Sequence, residues 1–187
     1  LEHYINPNFS FVYGDIRDRK VVQDLVEQSD AVIHLASIVG APACKKNETL
    51  AKEVNVDGTK NVIDFISNDQ ILLFASTGSV YGKIEGMCDE DWEPNPLSLY
   101  GSTKLEGELM ALNLPNSVAF RFATAYGLSP RLRLDLLPND FVLNAIRNKY
   151  LVVYDKKFRR TFIHVTDIVR SYLHMLENIE TVKGNAF

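Results

Sequence analysis

The stretch QILLFAS, residues 70–76, is almost wholly apolar. Such a short apolar run is typical of a strand in a parallel sheet that helices cover on both faces. Similar runs occur before and after it, and one of them, FSFVYG, ends at a glycine. We therefore expect strands at 9–14, 30–36, 70–76 and 117–123.

Helical patterns separate these runs. Residues 18–29 carry one apolar stripe, residues 47–68 form a longer pattern, and the stretch PLSLYGSTKLEGEL (96–109) opens another helix. Strand–helix alternation favours right-handed crossovers and a mainly parallel sheet, so the sequence predicts the α/β, doubly wound class. Beyond Tyr126 we expect a helix at 141–149, a strand at 150–155, and a strand that leads into a final helix.

Composition excludes several kinds of protein. A net charge of −4 argues against general nucleic-acid binding, and no apolar run of the 187 residues is long enough to cross a membrane. The two cysteines require no disulfide framework and suit a reducing, cytoplasmic compartment. The histidines His3, His164 and His174 have no metal-like spacing, so we expect no metal site.

Tyr100 and Lys104 are four residues apart on the helix that PLSLYGSTKLEGEL opens. Residues with this spacing share a helix face, and a nearby ammonium lowers the pKa of a phenol from its usual value of about 10. The pair could therefore act as a general acid and base. The alternative is a chance spacing, since the chain has eight tyrosines.

Other polar residues follow the predicted strands, where ligands of such sheets bind. Ser76, Thr77 and Ser79 could hydrogen-bond a substrate oxygen or could merely cap the strand end. Asp15 could accept from an adenine amino group or could cap a helix. Arg160 could pair with a phosphate or could be a solvated surface residue. His34, in an apolar strand, is expected to be a satisfied core histidine.

Taken together, these stretches resemble the extended short-chain dehydrogenase/reductase family, the NAD-dependent sugar-nucleotide epimerases and dehydratases. The matching pieces stand in the family's order from about residue 9 to residue 172. They are GDIRD, DAVIHLAS, VNVDGTKNV, FASTGSVYG, YGSTKLEGE, RFATAYG and RRTFIHVTDI.

The resemblance implies a role for each matching residue. Tyr100 would be the catalytic acid and base, Lys104 its partner and a ligand of the nicotinamide ribose, and Thr77 the third catalytic residue, which also contacts the sugar. The implied NAD-binding residues are Asp15 and Ile16 at the adenine, Leu35, Ala36 and Ser37 along the dinucleotide, Asn55 near the active site, and Ala123, with Tyr100 and Lys104. The implied substrate-binding residues are Thr77, Thr124 and, at the diphosphate, Arg160.

Two departures from the family pattern refine this interpretation. The glycine-rich turn G-x-x-G-x-x-G is absent, so we expect the chain to be the middle of a longer protein. It would then lack the N-terminal βαβ part of a Rossmann-type fold and the end of the substrate region. Gly78 and Ser79 stand where the sugar 4,6-dehydratases carry Asp and Glu, and neither can transfer a proton usefully. That argues against this dehydratase.

The resemblance implies an epimerase that acts at the sugar's C4 by transient oxidation to a keto-sugar. The alternatives are an NAD(P)-dependent reductase or dehydrogenase of the same fold and a non-catalytic dinucleotide-binding protein. Residues 1–126 would form a partial NAD-binding domain and residues 127–187 a partial substrate-binding region interleaved with the last Rossmann elements. The partners would be a nucleotide sugar and a second copy, paired through the helices at 47–67 and 99–112.

Overall fold

A four-stranded parallel sheet forms the centre of the computed structural model, which describes residues 5–154 and 156–187. The stretch around 70–76 lies inside this sheet, and its residues Leu72, Leu73 and Phe74 are fully buried. The doubly wound parallel fold is therefore confirmed. The sheet's strands, in spatial order, are β1 (Ala31–His34), β2 (Ile71–Ala75), β3 (Ser117–Phe120) and β6 (Asn185–Ala186).

Helices and a smaller sheet complete the described chain. A parallel pair, β4 (Thr124–Tyr126) and β5 (Phe162–His164), lies beyond β3. A π-helical turn at Glu53–Asp57 and a 3₁₀ turn at Gly78–Tyr81 interrupt the regular elements. The helices are α1 (Arg19–Val26), α2 (Ala41–Lys46), α3 (Glu48–Lys52), α4 (Gly58–Phe65), α5 (Leu99–Leu112), α6 (Leu137–Asn148), α7 (Val165–Glu177) and α8 (Ile179–Val182).

Alternate residues of β2 face two separate cores. Leu72 and Phe74 pack with residues of α1, α4 and α5, whereas Leu73 packs with Tyr172 of α7 on the other face. This alternation explains why the strand is apolar at every position, since each face of the sheet is covered. None of the described helices is both long and apolar enough to span a bilayer.

Helix α5 lies unusually close to its neighbours because it carries two glycines. A Cβ at Gly107 would lie 2.8 Å from the ring of Phe74, and one at Gly101 would lie 2.8 Å from the Ser79 carbonyl oxygen. Ser98 caps the helix by accepting from the Gly101 N–H at 3.1 Å. The first turn of α5 is thereby held against the loop that follows β2.

Two of the expected strands are absent. Residues 9–14 and 150–154 have irregular backbone, while residue 155 lies outside the described residues. Val12 and Tyr13 are exposed, because the described sheet ends at β1 and the segment at 9–14 does not pair with it. A strand needs a hydrogen-bonding neighbour, so local apolar character did not suffice.

The strand expected at 117–123 is shorter in the structure, and a further strand that the sequence did not indicate follows it. β3 ends at Phe120, and the chain then leaves the main sheet to form β4. The expected helix at 47–68 is divided into α3, the π-helical turn and α4.

Candidate active site

Thr77 and Tyr100 meet at the carboxyl end of β2. Thr77 begins the 3₁₀ turn, where its hydroxyl accepts from the Ser79 N–H at 3.2 Å. Tyr100 lies in the first turn of α5, close enough to Thr77 for that side chain to lower the pKa of its phenol. The structure thus brings together two of the three catalytic residues that the resemblance implies.

The pKa of Tyr100 is raised above its ordinary value. Burial is the largest cause, whereas the Thr77 side chain and the positive charge of Arg133 act in the opposite direction. The four-residue spacing predicts that the Lys104 ammonium lowers this pKa, but Lys104 is not among the groups that shift the pKa of Tyr100. The catalytic pairing of Tyr100 with Lys104 stays a prediction.

Lys104 is buried one turn further along α5. Its side chain is 3 % exposed, and its Nζ lies 4.2 Å from the centroid of the Phe74 ring, a cation–π contact. Burial lowers the pKa of Lys104 to about 8, and the nearby Glu108 acts against that shift. Within the described part of the chain its ammonium makes no hydrogen bond and no ion pair, so this donor is uncommitted.

His34, at the end of β1, lies in the core as expected. Its Nε2 lies 2.9 Å from the Thr59 hydroxyl, and that hydroxyl donates to the Asn55 carbonyl at 2.7 Å. The Thr59 hydroxyl has only one hydrogen, so the Nε2–H of His34 must be the donor to it. Burial, together with the charge of Lys104, lowers the pKa of His34 to about 3, and the imidazole is neutral at neutral pH.

Acid should destabilise the protein through His34. The folded pKa of about 3 lies below the ordinary value of 6.5, so between these values only the unfolded chain binds the proton. The stability that the neutral His34 imidazole contributes is therefore fully present above pH 6.5 and is lost as the pH falls towards 3. We expect His34→Gln to reduce the loss between pH 7 and pH 5 by roughly 2 kcal/mol, measured by urea unfolding. The exposed His174→Gln is the control, and an unchanged pH slope in His34→Gln would contradict the assignment.

Asn55 joins the loop after β1 to helix α5. Its Oδ1 accepts from the Ser37 hydroxyl at 3.0 Å and from the Ile38 N–H at 2.7 Å. Its Nδ2 donates to the Ile38 carbonyl and to the Thr103 hydroxyl, each at 3.1 Å. Asn55 thus fixes the backbone next to Leu35 and Ala36, whose side chains are exposed at the edge of the site.

Asp15 does not cap α1, which corrects one of the two expectations for it. Asp18 caps the helix by accepting from the N–H groups of Lys20 and Val21. The Asp15 carboxylate instead accepts from Arg17, whose guanidinium holds the Asp15 pKa at about 2. Ile16 is fixed beside α4, because its carbonyl accepts from Asn61 at 3.0 Å.

The remaining candidates lie at the smaller sheet. Thr124 begins β4 and its N–H donates to the Thr161 carbonyl at 3.3 Å, while Ala123 immediately precedes it. Arg160 is the neighbour of Thr161, is exposed, and lies 5.7 Å from the Phe158 ring. Among the described residues no hydrogen bond or ion pair joins Thr124 or Arg160 to Thr77 or Tyr100.

Sequence reasoning missed a buried ion pair beside the site. Glu108 and Arg121 lie 2.7 Å apart with side chains 0 % and 9 % exposed. A signal was available, because Tyr100, Lys104 and Glu108 recur at intervals of four along one helix face. No cluster of three possible metal ligands occurs in the part of the chain that the structure describes.

Known proteins share this arrangement of elements. The UDP-glucuronic acid 4-epimerase of Bacillus cereus, solved with UDP-glucuronic acid and NAD, superposes with a TM-score of 0.85 at 28 % identity, covering 98 % of this chain and 60 % of that one. A dTDP-glucose 4,6-dehydratase double mutant from Streptomyces venezuelae superposes equally well (TM-score 0.85) at 24 % identity, covering 100 % and 59 %. The latter likeness concerns the fold alone.

A sequence relative and a family match agree with the structural comparison. A putative UDP-glucose 4-epimerase of Methanocaldococcus jannaschii is 28 % identical, covering 92 % of this chain and 60 % of the relative. The chain thus spans about three fifths of the length of the proteins that it resembles. Residues 2–187 match the model of the NAD-dependent epimerase/dehydratase family, and the chain therefore belongs to that family.

Proposed function

We propose that the protein is an NAD-dependent nucleotide-sugar 4-epimerase. The observation that carries the proposal is the closeness of the Tyr100 phenol to the Thr77 side chain, one helical turn from the buried Lys104. A phenol and a hydroxyl at the carboxyl end of a strand can both reach one sugar oxygen, where a proton must move. Similarity to a UDP-glucuronic acid 4-epimerase and to a putative UDP-glucose 4-epimerase supports the choice of reaction.

The described residues fit NAD. The uncommitted ammonium of Lys104 suits the ribose hydroxyls next to nicotinamide, since a buried cation without a partner is costly. Leu35 and Ala36 are exposed beyond β1, Ser37 lies next to them, and Ala123 precedes β4; these residues would line the dinucleotide. Asp15 and Ile16 would hold the adenine, and Asn55 would hold the loop that follows β1. NAD, when bound, supplies the acceptor and later the donor of a hydride.

The chain's own groups would manage the proton at the sugar's C4 oxygen. Tyr100 takes the hydroxyl proton as C4 is oxidised and gives it back when C4 is reduced on its other face. Thr77 donates a hydrogen bond that holds the reacting oxygen beside the phenol. The Lys104 charge favours the phenolate once the site is filled, which offsets the raised pKa that burial gives Tyr100 in the protein alone.

Loss of water from the sugar is disfavoured by the residues that follow Thr77. Gly78 has no side chain, and its N–H donates to the Phe122 carbonyl at 2.9 Å. Ser79 supplies only a hydroxyl. Glu108 is the nearby buried carboxylate, but both of its oxygens are already committed to Ser76 and Arg121. The turn thus offers no carboxylic acid that could protonate a leaving hydroxyl.

Product analysis tests the proposal and separates it from a dehydrogenase. The intact protein is incubated with NAD and, separately, UDP-glucose, UDP-glucuronic acid and dTDP-glucose, and the products are identified by NMR. We expect a C4 epimer from at least one of them with no accumulation of NADH. Steady formation of NADH with an oxidised sugar would show a dehydrogenase, and NAD binding without any product would favour a non-catalytic protein.

Two substitutions should separate the affinity for NAD from the rate of the chemical step. Lys104→Met removes a charged donor, so the Kd for NAD should rise about 10- to 100-fold, since such a bond contributes about 1.5–3 kcal/mol. Thr77→Val keeps the shape and should lower kcat with little change in NAD binding. Isothermal titration and steady-state kinetics measure both effects, and exposed Lys60→Met is the control. Equal NAD affinity in Lys104→Met would remove Lys104 from the cofactor site.

The remaining predicted contacts are with the substrate. We propose that Thr124 contacts the sugar and that Arg160 binds the diphosphate of the substrate. Pairing of two copies through the helices at 47–67 and 99–112 stays a prediction, with exposed Leu109 as its clearest surface signal.

A further inference from the structure

The buried ion pair of Glu108 and Arg121 connects two elements of the site. Glu108 lies on α5, one turn beyond Lys104, and Arg121 directly follows β3. The Glu108 Oε1 accepts from Arg121 Nε at 3.0 Å and from Nη2 at 2.7 Å, a two-point contact that fixes the guanidinium plane. The position of α5 relative to the end of β3 is therefore determined by oriented bonds as well as by apolar packing.

The same pair holds both ends of the segment that contains Thr77. At its start, the Ser76 hydroxyl donates to Glu108 Oε2 at 2.5 Å. At its end, Arg121 Nη1 donates to the Tyr81 hydroxyl at 3.0 Å, and the guanidinium lies 4.9 Å from the Tyr81 ring centroid. Thr77 lies between these two attachments, so its path is set by the ion pair.

A third segment is attached to the same guanidinium. Arg121 Nη1 also donates to the Glu90 carbonyl at 2.9 Å, which ties down the irregular, acidic stretch between the 3₁₀ turn and α5. Arg121 thus contacts both the segment at 76–81, which contains Thr77, and the acidic stretch that follows this segment. Simple stabilisation would not need these directed bonds, because apolar side chains of similar volume often replace a buried ion pair without loss.

We propose that Glu108 and Arg121 are positioning residues that fix Thr77 relative to Tyr100. Tyr100 and Glu108 stand on the same helix, whereas Thr77 belongs to the segment that Glu108 and Arg121 hold at both ends. The pair therefore sets the distance between the two hydroxyls that would share the sugar oxygen. The expected loss of kcat rests on the proposed function, whereas the expected effect on the position of Thr77 does not.

The first test replaces the whole pair. Glu108→Met with Arg121→Met should fold, because the two opposite charges of the pair are removed together. We expect kcat to fall about 10- to 100-fold with KM for the nucleotide sugar within about twofold, since misplacement of reacting groups affects the chemical step. The exposed pair Asp167→Asn with Arg170→Gln is the matched control. A folded double variant with unchanged kcat would overturn the proposal.

The second test does not depend on turnover. Amide hydrogen exchange at Gly78, Ser79 and Val80 should become about 10-fold faster in the double variant, while exchange at Leu72 and Phe74 stays unchanged. Ser76→Ala, which removes one attachment and keeps the ion pair, should show a smaller change at the same amides. Unaltered exchange in both variants would overturn the inference, even if the wild-type protein converts no nucleotide sugar and the proposed function fails.

Discussion

Tyr100→Phe is expected to lower kcat by about 10²- to 10⁴-fold, the usual contribution of a positioned acid or base. The substitution removes the phenolic oxygen that would carry the C4 hydroxyl proton and leaves the ring to pack in the first turn of α5. Steady-state conversion of the nucleotide sugar measures the effect. The free energy of unfolding should change little, because Phe keeps the ring and only one neutral hydroxyl is lost.

A fully exposed tyrosine provides the control for this result. Tyr154 is 98 % exposed, and Tyr154→Phe should keep full activity. If Tyr100→Phe turned over substrate at the wild-type rate, the four-residue spacing to Lys104 would be an accident of the helix face.

Glu108→Ala should lower the free energy of unfolding by about 3–5 kcal/mol, the typical cost of breaking a buried ion pair from one side. The substitution leaves the Arg121 guanidinium buried without its carboxylate and removes the acceptor of the Ser76 hydroxyl. Urea unfolding followed by circular dichroism measures the loss.

The matched control lies two residues earlier on the same helix. Glu106 is exposed, and Glu106→Ala should change stability by less than about 0.5 kcal/mol. A loss equally small for Glu108→Ala would mean that Arg121 finds another partner, and the ion pair would then not organise the site.

The central strands could be predicted because their signal is local. Each run at 30–36, 70–76 and 117–123 is apolar on both faces, and such runs fit only a covered sheet. The runs at 9–14 and 150–154 have similar local character but no neighbouring strand in the described sheet, and a sequence pattern contains no information on pairing partners. β4 was missed because three residues give no detectable periodicity.

The candidate site was predictable in its composition and less so in its electrostatics. Thr77 follows a central strand, where ligands of parallel sheets bind, and the first turn of α5 brings Tyr100 against the turn that Thr77 begins. The predicted direction of the Tyr100 pKa shift was wrong, because burial is its largest cause and burial depends on the whole fold. The contacts of Asn55 and Arg121 join residues far apart in the sequence, beyond the reach of any spacing argument.

One isotope measurement tests the central claim most directly. UDP-glucuronic acid and UDP-glucose, each carrying deuterium at C4, are incubated with the intact protein and NAD, and the epimers are examined by NMR. The account predicts that the deuterium remains at C4 of the inverted sugar, because the same hydride leaves and returns to that carbon while Tyr100 moves only the hydroxyl proton. Deuterium lost to water, or trapped in accumulating reduced cofactor beside an oxidised sugar, would contradict it.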